Sequence, residues 1–347
     1  MYNKKIFKDN LLRWFDAEQR EMPWRETKNP YYIWLSEIML QQTQVATVID
    51  YYLRFIKRFP TIESLNDAKE DEVLKLWEGL GYYSRARNFH TAIKDVYQNH
   101  NSKVPNDPDQ FGKLKGVGPY TQAAVMSIAF NKPLATVDGN VFRVWSRLNN
   151  DDRDTKLQST RKAFEQELQP YVEARSGDFN QAMMELGAMV CTPKSPLCLF
   201  CPVQDNCEAF EKGTVSELPV KTTKVSKKTV KQHVYIVKNK QGEYLIEQRT
   251  AKLLNNMWEF PMYEATSQFN VNSELGMNIP FLTKPSYKLK HQFTHLQWDI
   301  EVFMAEATVD KQQVNLPERM HWMKFEDKEQ YNFPVSMSKI YKFLKGH

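Results

Sequence analysis

Gly116-Val117-Gly118-Pro119-Tyr120-Thr121 constrains the fold of this 347-residue chain more than any other stretch. Two glycines around one apolar residue, between an apolar segment ending at Leu114 and another running from Ala123 to Phe130, read as a tight hairpin joining two helices. Backbone N–H groups in such a hairpin point outward at the positive end of the second helix and can hold a phosphate oxygen. Gly116, Val117 and Gly118 are therefore candidate contacts to a nucleic-acid backbone. Taken alone, Gly-x-Gly reads more readily as an ordinary helix–helix turn. The balance shifts with Asp138 and Asn140 in Val137-Asp138-Gly139-Asn140-Val141, and with the cysteines beyond them.

All four cysteines fall in Cys191-x6-Cys198-x2-Cys201-x5-Cys207. Scattered structural or disulfide cysteines do not cluster in this way in a reducing compartment, so the loop reads as a wrap around one metal centre. Four thiolates also satisfy tetrahedral zinc. The gaps match neither paired CxxC zinc units nor the common ferredoxin spacings, and the residues alone leave zinc and an iron–sulfur cluster both open.

With 41% apolar residues, the chain is long enough for two domains with cores of their own. Its formal net charge of +5 suits an anionic partner without specifying one. No stretch approaches the roughly 20 apolar residues of a membrane span, and the N-terminus leads into an amphipathic pattern rather than a signal peptide. The expectation is a cytoplasmic protein with no membrane partner.

Phe7, Leu11, Trp14 and Phe15 sit at helical spacing ahead of the turn Met22-Pro23-Trp24-Arg25. From Trp34 a single long helical pattern runs through Val45, Ile49 and Leu53, with Glu37 beside its apolar stripe. Further helical patterns cover residues 71–77, 86–97, 157–172 and 179–190, and Asp138 stands where a helix N-cap belongs. No convincing strand occurs before about residue 210. The basic, aperiodic residues 214–231 read as a linker with its own affinity for phosphate. Beyond it the period changes to two, with a predicted hairpin over 233–249, a strand over 296–304 and a closing helix over 336–344. The expected organisation is an all-α domain over 1–213 and a smaller α+β domain over 232–347.

These motifs together resemble the helix-hairpin-helix DNA glycosylase superfamily shared with endonuclease III, and within it the adenine DNA glycosylases. The resemblance covers nearly the whole chain. It rests on Met22-Pro23-Trp24-Arg25, the run from Ser36-Glu37 to Val45, Gly79-Leu80-Gly81-Tyr82-Tyr83-Ser84-Arg85-Ala86, the hairpin, residues 137–141, Asn180-Gln181-Ala182-Met183-Met184 and the cysteine loop. It implies a multidomain protein, a helix-hairpin-helix core with an iron–sulfur loop followed by a Nudix-like α+β domain. By the same resemblance Cys191, Cys198, Cys201 and Cys207 hold one [4Fe–4S] cluster. The implied partner is double-stranded DNA carrying adenine opposite 8-oxoguanine or guanine, bound by a monomer, with replication or repair proteins as further partners.

Breaking an N-glycosidic bond requires a protonated purine leaving group and a stabilised cationic sugar, tasks that suit two carboxyls in different environments. Glu37, beside an apolar stripe, is the candidate general acid, and the family's acid falls on this position. Asp138, in a polar turn at a helix start, is expected to stay ionised and face the sugar cation. The resemblance adds Asn140 as the residue that positions Asp138, and Tyr120 as a support of the same centre. Endonuclease III-like enzymes carry a nucleophilic Lys at the position of Tyr120, so Tyr implies a monofunctional enzyme that leaves an abasic site.

A base must leave the duplex stack to be reached. The resemblance places Gln42 and Tyr82 in the opened duplex and Trp24, Arg25, Leu40 and Gln181 around the extruded adenine. In the C-terminal domain Gln248-Arg249 and Trp258-Glu259-Phe260-Pro261 resemble Nudix sequence, but the Nudix catalytic box is missing and pyrophosphatase chemistry is not expected. Phe293-Thr294-His295 matches a Phe-Ser-His loop that reads 8-oxoguanine in the family, and Thr keeps the hydroxyl while adding a methyl. Two other readings compete: a thymine or uracil mismatch glycosylase, which also lacks the hairpin Lys, and a non-catalytic iron–sulfur lesion binder. The C-terminal domain and Glu37 in its Gln41-Gln42-Thr43-Gln44 context argue against the first; the pair Glu37 and Asp138 argues against the second. A Nudix hydrolase with a helical accessory domain fails on the missing box.

Overall fold

The computed structural model describes residues 4–222, 228–268, 270–276, 278–293, 296–314 and 316–346. Part of the expected linker, residues 223–227, and both Thr294 and His295 lie outside the described residues. The helices are α1 (Lys4–Glu18), α2 (Pro30–Leu40), α3 (Val45–Arg58), α4 (Ile62–Asn66), α5 (Glu70–Leu76), α6 (Ser84–Asn99) and α7 (Pro108–Gly112). They continue with α8 (Pro119–Phe130), α9 (Gly139–Leu148), α10 (Gln158–Leu168), α11 (Ser176–Met189) and α12 (Glu208–Glu211). The chain divides into two compact units, Met1–Val73 with Ser84–Thr223, and Leu74–Tyr83 with Lys224–His347.

The first unit has two apolar centres. In one, Phe7, Leu11 and Phe15 of α1 meet Val141 and Trp145 of α9, Phe164 of α10 and Phe179 and Met183 of α11. In the other, α2 is buried on nearly every face. Its Trp34 packs edge-on against Phe89 and Phe111 at 4.9 Å each, and its Ile33 packs on Ala124 and Ile128 of α8. Helix α8 begins abruptly because Gly118 is its extended N-cap and Pro119, which lacks an N–H to satisfy, fills the first helical position. Gly116 at φ +80° makes the preceding turn, where an added Cβ would stand 2.7 Å from that of Asn88.

The single long helix expected from Trp34 onward is two helices. α2 stops at Leu40, Gln42 adopts φ 58°, and α3 restarts at Val45. The break is held by Arg85, which donates to the carbonyls of Ile38, Met39 and Gln41 at 2.8, 3.0 and 2.5 Å and so satisfies helix-end acceptors. Apolar periodicity runs across the break because both helices bury their inner faces.

The second unit carries the sheet β4-β1-β6-β5 and the sheet β3-β2-β7, with β1 parallel to β6. The strands are β1 (Lys228–Ile236), β2 (Tyr244–Gln248), β3 (Trp258–Glu259), β4 (Met262–Glu264), β5 (Tyr287–Gln292), β6 (Leu296–Met304) and β7 (Met320–Met323). Helices α13 (Val271–Leu275) and α14 (Val335–Lys345) accompany them. The expected hairpin over 233–249 forms only at its turn, where Leu245 N–H meets the Val237 carbonyl. Its two arms part into different sheets because β4 and β6 occupy both edges of β1. Trp298, Ile300 and Val302 point inward from β6, as their alternation predicts. Among the described residues, no helix is long and apolar enough to cross a membrane.

At Gly177 the start of α11 touches α8, and an added Cβ would stand 2.6 Å from the Ser127 carbonyl oxygen and 2.8 Å from the Ile128 Cα. Gly177→Ala is expected to lower stability by about 1–3 kcal/mol in urea unfolding. Gly139→Ala, with open space around it, is expected to change stability far less.

Candidate active site

A cleft of about 660 Å³ opens in the first unit, of the size that holds a small ligand. It is lined from α2 and its C-terminal break, from the start of α8, from the turn into α9 and from α11. Glu37 lies within it at 7% exposure, and Tyr120 Oη donates to its Oε2 at 2.9 Å. Burial pushes the Glu37 pKa up to about 7, with the charge of Asp138 adding to the rise and the Tyr120 hydrogen bond and Arg25 opposing it. Burial and the Glu37 charge hold the Tyr120 phenol far above its ordinary pKa, so it remains a donor.

Asp138 caps α9: its Oδ1 accepts from Val141 N–H at 2.7 Å and its Oδ2 from Asn140 Nδ2 at 3.0 Å. The sequence reading of an ordinary ionised carboxylate in a polar turn did not anticipate the desolvation of this half-buried group. Burial raises its pKa, while bonds from Val141 and Asn140 and the charge of Arg143 pull it back. Arg143 in turn donates to Asn140 Oδ1 at 2.9 Å, to the Gly187 carbonyl at 2.6 Å and to the Cys191 carbonyl at 2.7 Å.

The cleft also gathers Trp24, Arg25, Leu40, Gln42 and Gln181, and from the hairpin Gly116 and Gly118. Trp24 is buried edge-on against Tyr52 at 5.3 Å, so the packing role expected of most aromatics holds alongside its place in the wall. Val117 and Tyr82 are not among the lining residues. Tyr82 is exposed, at φ 49°, in the segment grouped with the second unit. There, Phe293 packs edge-on against Trp298 at 4.8 Å and its N–H donates to the Leu296 carbonyl at 2.7 Å.

The most heavily bonded of the cleft residues that escaped the sequence reading is an acid. Glu185, on α11, takes bonds from both Arg20 and Arg25, and these override the effect of burial and bring its pKa down to about 2. Its signal was present: it follows Gln181 by four positions, hence on the same helix face.

Cys191, Cys198, Cys201 and Cys207 line one small cavity together with Arg147 and Val190. Burial pushes the Cys201 thiol up to about 12 and raises Cys198 and Cys207. Arg147 Nη1 lies 3.3 Å from the Cys191 sulfur.

Residues 35–170 match the family described as HhH-GPD superfamily base excision DNA repair protein, and residues 233–343 match the NUDIX domain. An adenine DNA glycosylase of Rattus norvegicus is 45% identical over 226 residues, 61% of this chain and 44% of the relative. The chain thus spans less than half the length of that protein. An adenine DNA glycosylase of Buchnera aphidicola subsp. Schizaphis graminum (strain Sg) is 31% identical over 352 residues, 98% of this chain and 99% of the relative. The solved structure of a thermostable thymine-DNA glycosylase superposes with a TM-score of 0.56 at 30% identity, over 60% of this chain and 97% of that one.

Removing the Tyr120 hydroxyl takes away a bond that favours the Glu37 carboxylate. In Tyr120→Phe, Glu37 is expected to titrate above its present value of about 7, read by carbon NMR of labelled glutamate side chains; a lower midpoint would contradict the geometry.

Proposed function

The chain belongs to the adenine DNA glycosylase family, and from that premise we propose that it excises adenine lying opposite 8-oxoguanine or guanine in double-stranded DNA, leaving an abasic site. The observation that carries the reading is the buried Glu37 carboxyl, poised near neutrality and bonded to Tyr120, sharing one cleft with Asp138. A carboxyl with a pKa near the working pH is the form of general acid that purine departure requires.

In this reading Trp24, Arg25, Leu40 and Gln181 enclose the extruded base. Glu37 delivers its proton to the purine as the bond between sugar C1′ and base nitrogen breaks and its electron pair leaves with the base. Asp138, held by Asn140 and the start of α9, faces the cationic sugar until water adds to it. Tyr120 has no amine to form a Schiff base, so the strand stays intact. The N–H groups at Gly116 and Gly118 grip the phosphodiester, while that of Val117, also expected there, already donates to the Leu114 carbonyl at 3.1 Å; Gln42 and Tyr82 fill the opened duplex, and Phe293-Thr294-His295 reads the opposite base.

Four thiols line one cavity, a donor set that fits an iron–sulfur cluster, and the family resemblance favours that cluster over zinc. Cys191, Cys198, Cys201 and Cys207 would hold a [4Fe–4S] cluster, whose part when bound is to cross-link the loop. Anaerobically purified protein is expected to carry about four iron atoms per chain; one zinc and no iron would overturn the assignment.

The likeness to a thymine-DNA glycosylase over the helical part gives the rival reading its one support. Single-turnover reactions on duplexes with adenine opposite 8-oxoguanine, guanine or thymine, and with thymine opposite guanine, separate the two. Adenine release opposite the two purines, slowed on the order of a hundredfold or more in Glu37→Gln, with nicking only after hot alkali, is the expected outcome. Thymine release instead would move the assignment to the rival.

A further inference from the structure

The mechanism above leaves Glu185 without a part, although it is among the most heavily bonded side chains of the cleft. At 2% exposure its carboxylate accepts from the backbone N–H, Nε and Nη2 of Arg20 at 3.0, 2.7 and 2.8 Å, and from Nη1 and Nη2 of Arg25 at 3.3 and 3.0 Å. Arg25 is fixed further by bonds to the Arg20 carbonyl at 2.9 Å and to Gln181 Oε1 at 3.3 Å. A buried carboxylate is costly unless cations pay it back, and here two guanidiniums enclose it.

Besides burial, three groups act on Glu37: the neutral phenol of Tyr120 on α8, by a hydrogen bond, and the charges of Asp138 at the cap of α9 and of Arg25 in the turn ahead of α2. Arg161 of α10 also lines the cleft and acts on Tyr120. Arg25 is the member of this set that favours loss of the Glu37 proton by its charge alone. Base recognition asks for a donor such as Arg25 in the cleft, while acid catalysis asks that its charge not strip the acid.

We propose that Glu185 is a positioning residue that resolves this conflict, clamping and neutralising Arg25 so that a guanidinium can share the cleft with the acid Glu37 without drawing off its proton. The inference rests on the adenine-excision reading. It is tested by single-turnover release of adenine opposite 8-oxoguanine, measured against pH for the full chain and for Glu185→Gln, Glu185→Asp and the double variant Arg25→Met with Glu185→Gln. In Glu185→Gln the alkaline limb of the profile is expected to move down on the order of one pH unit, about a tenfold loss of rate above the limb. Glu185→Asp keeps the limb near its original position. The double variant returns it toward the original midpoint even though its maximal rate is lower.

A Glu185→Gln profile lowered equally at every pH, or a double variant with the limb still displaced, would overturn the proposal and leave Glu185 a structural residue. Should Glu185→Gln fail to fold, as judged by thermal melting and binding to an abasic-site duplex, Arg25→Met alone gives the complementary reading. Its limb moves to higher pH if the charge argument holds, and an unmoved limb overturns it. Absence of adenine release by the unaltered chain would instead defeat the functional reading itself, a result distinct from an unmoved limb.

Discussion

Removing the Glu37 carboxyl from water is the constraint on which the rest of the site depends. An isolated buried carboxylate is strongly disfavoured, so the group either takes a proton or finds donors. Here it does some of each: burial raises its pKa to about 7 while one phenol bond limits the rise. That balance needs α2 to be packed on nearly all sides, which the rings of Trp34, Phe89 and Phe111 achieve. It also needs Tyr120 at one place. Gly116 turns the chain and Pro119 starts α8 at once, so Tyr120 falls in the first turn, where its hydroxyl reaches Glu37. The glycine turn that starts α8 therefore also sets the phenol against Glu37.

The second carboxyl is placed by a different device. Asp138 is an N-cap, and its bond to Val141 N–H is the ordinary one that begins a helix. The cap fixes its direction, and Asn140 takes its second oxygen. Arg143 then joins Asn140 on one side to the Cys191 carbonyl on the other. The segment that holds the thiols and the segment that holds Asp138 thus share one guanidinium.

Much of this was legible in residue order because it depends on local geometry. The glycine turn, the Asp138 cap and the alternation of β6 each follow from neighbours a few positions apart, and each forms as read, while the four closely spaced cysteines come to line one cavity. The features that were not legible turn on distant partners. Arg85 reaches across 44 positions to end α2, which apolar periodicity ran through without a mark. Strand β1 takes β4 and β6 as neighbours, leaving β2 to pair elsewhere. Glu185 carried a helix-face signal through Gln181, but nothing local indicated that Arg20 and Arg25 would enclose it.

The amino-acid order by itself determined which residue types were available and where helices and turns begin: an acid beside an apolar stripe, an aspartate at a cap, a tyrosine in the hairpin, four thiols in one loop. Tertiary structure alone decided what those groups are chemically. The protonation of Glu37, the desolvation of Asp138 and the pairing of Arg25 with Glu185 all depend on how much water each group loses and which charges replace it. Those quantities are set largely by packing between distant segments, 83 positions apart for Glu37 with Tyr120 and 160 for Arg25 with Glu185, and no local pattern fixes their extent.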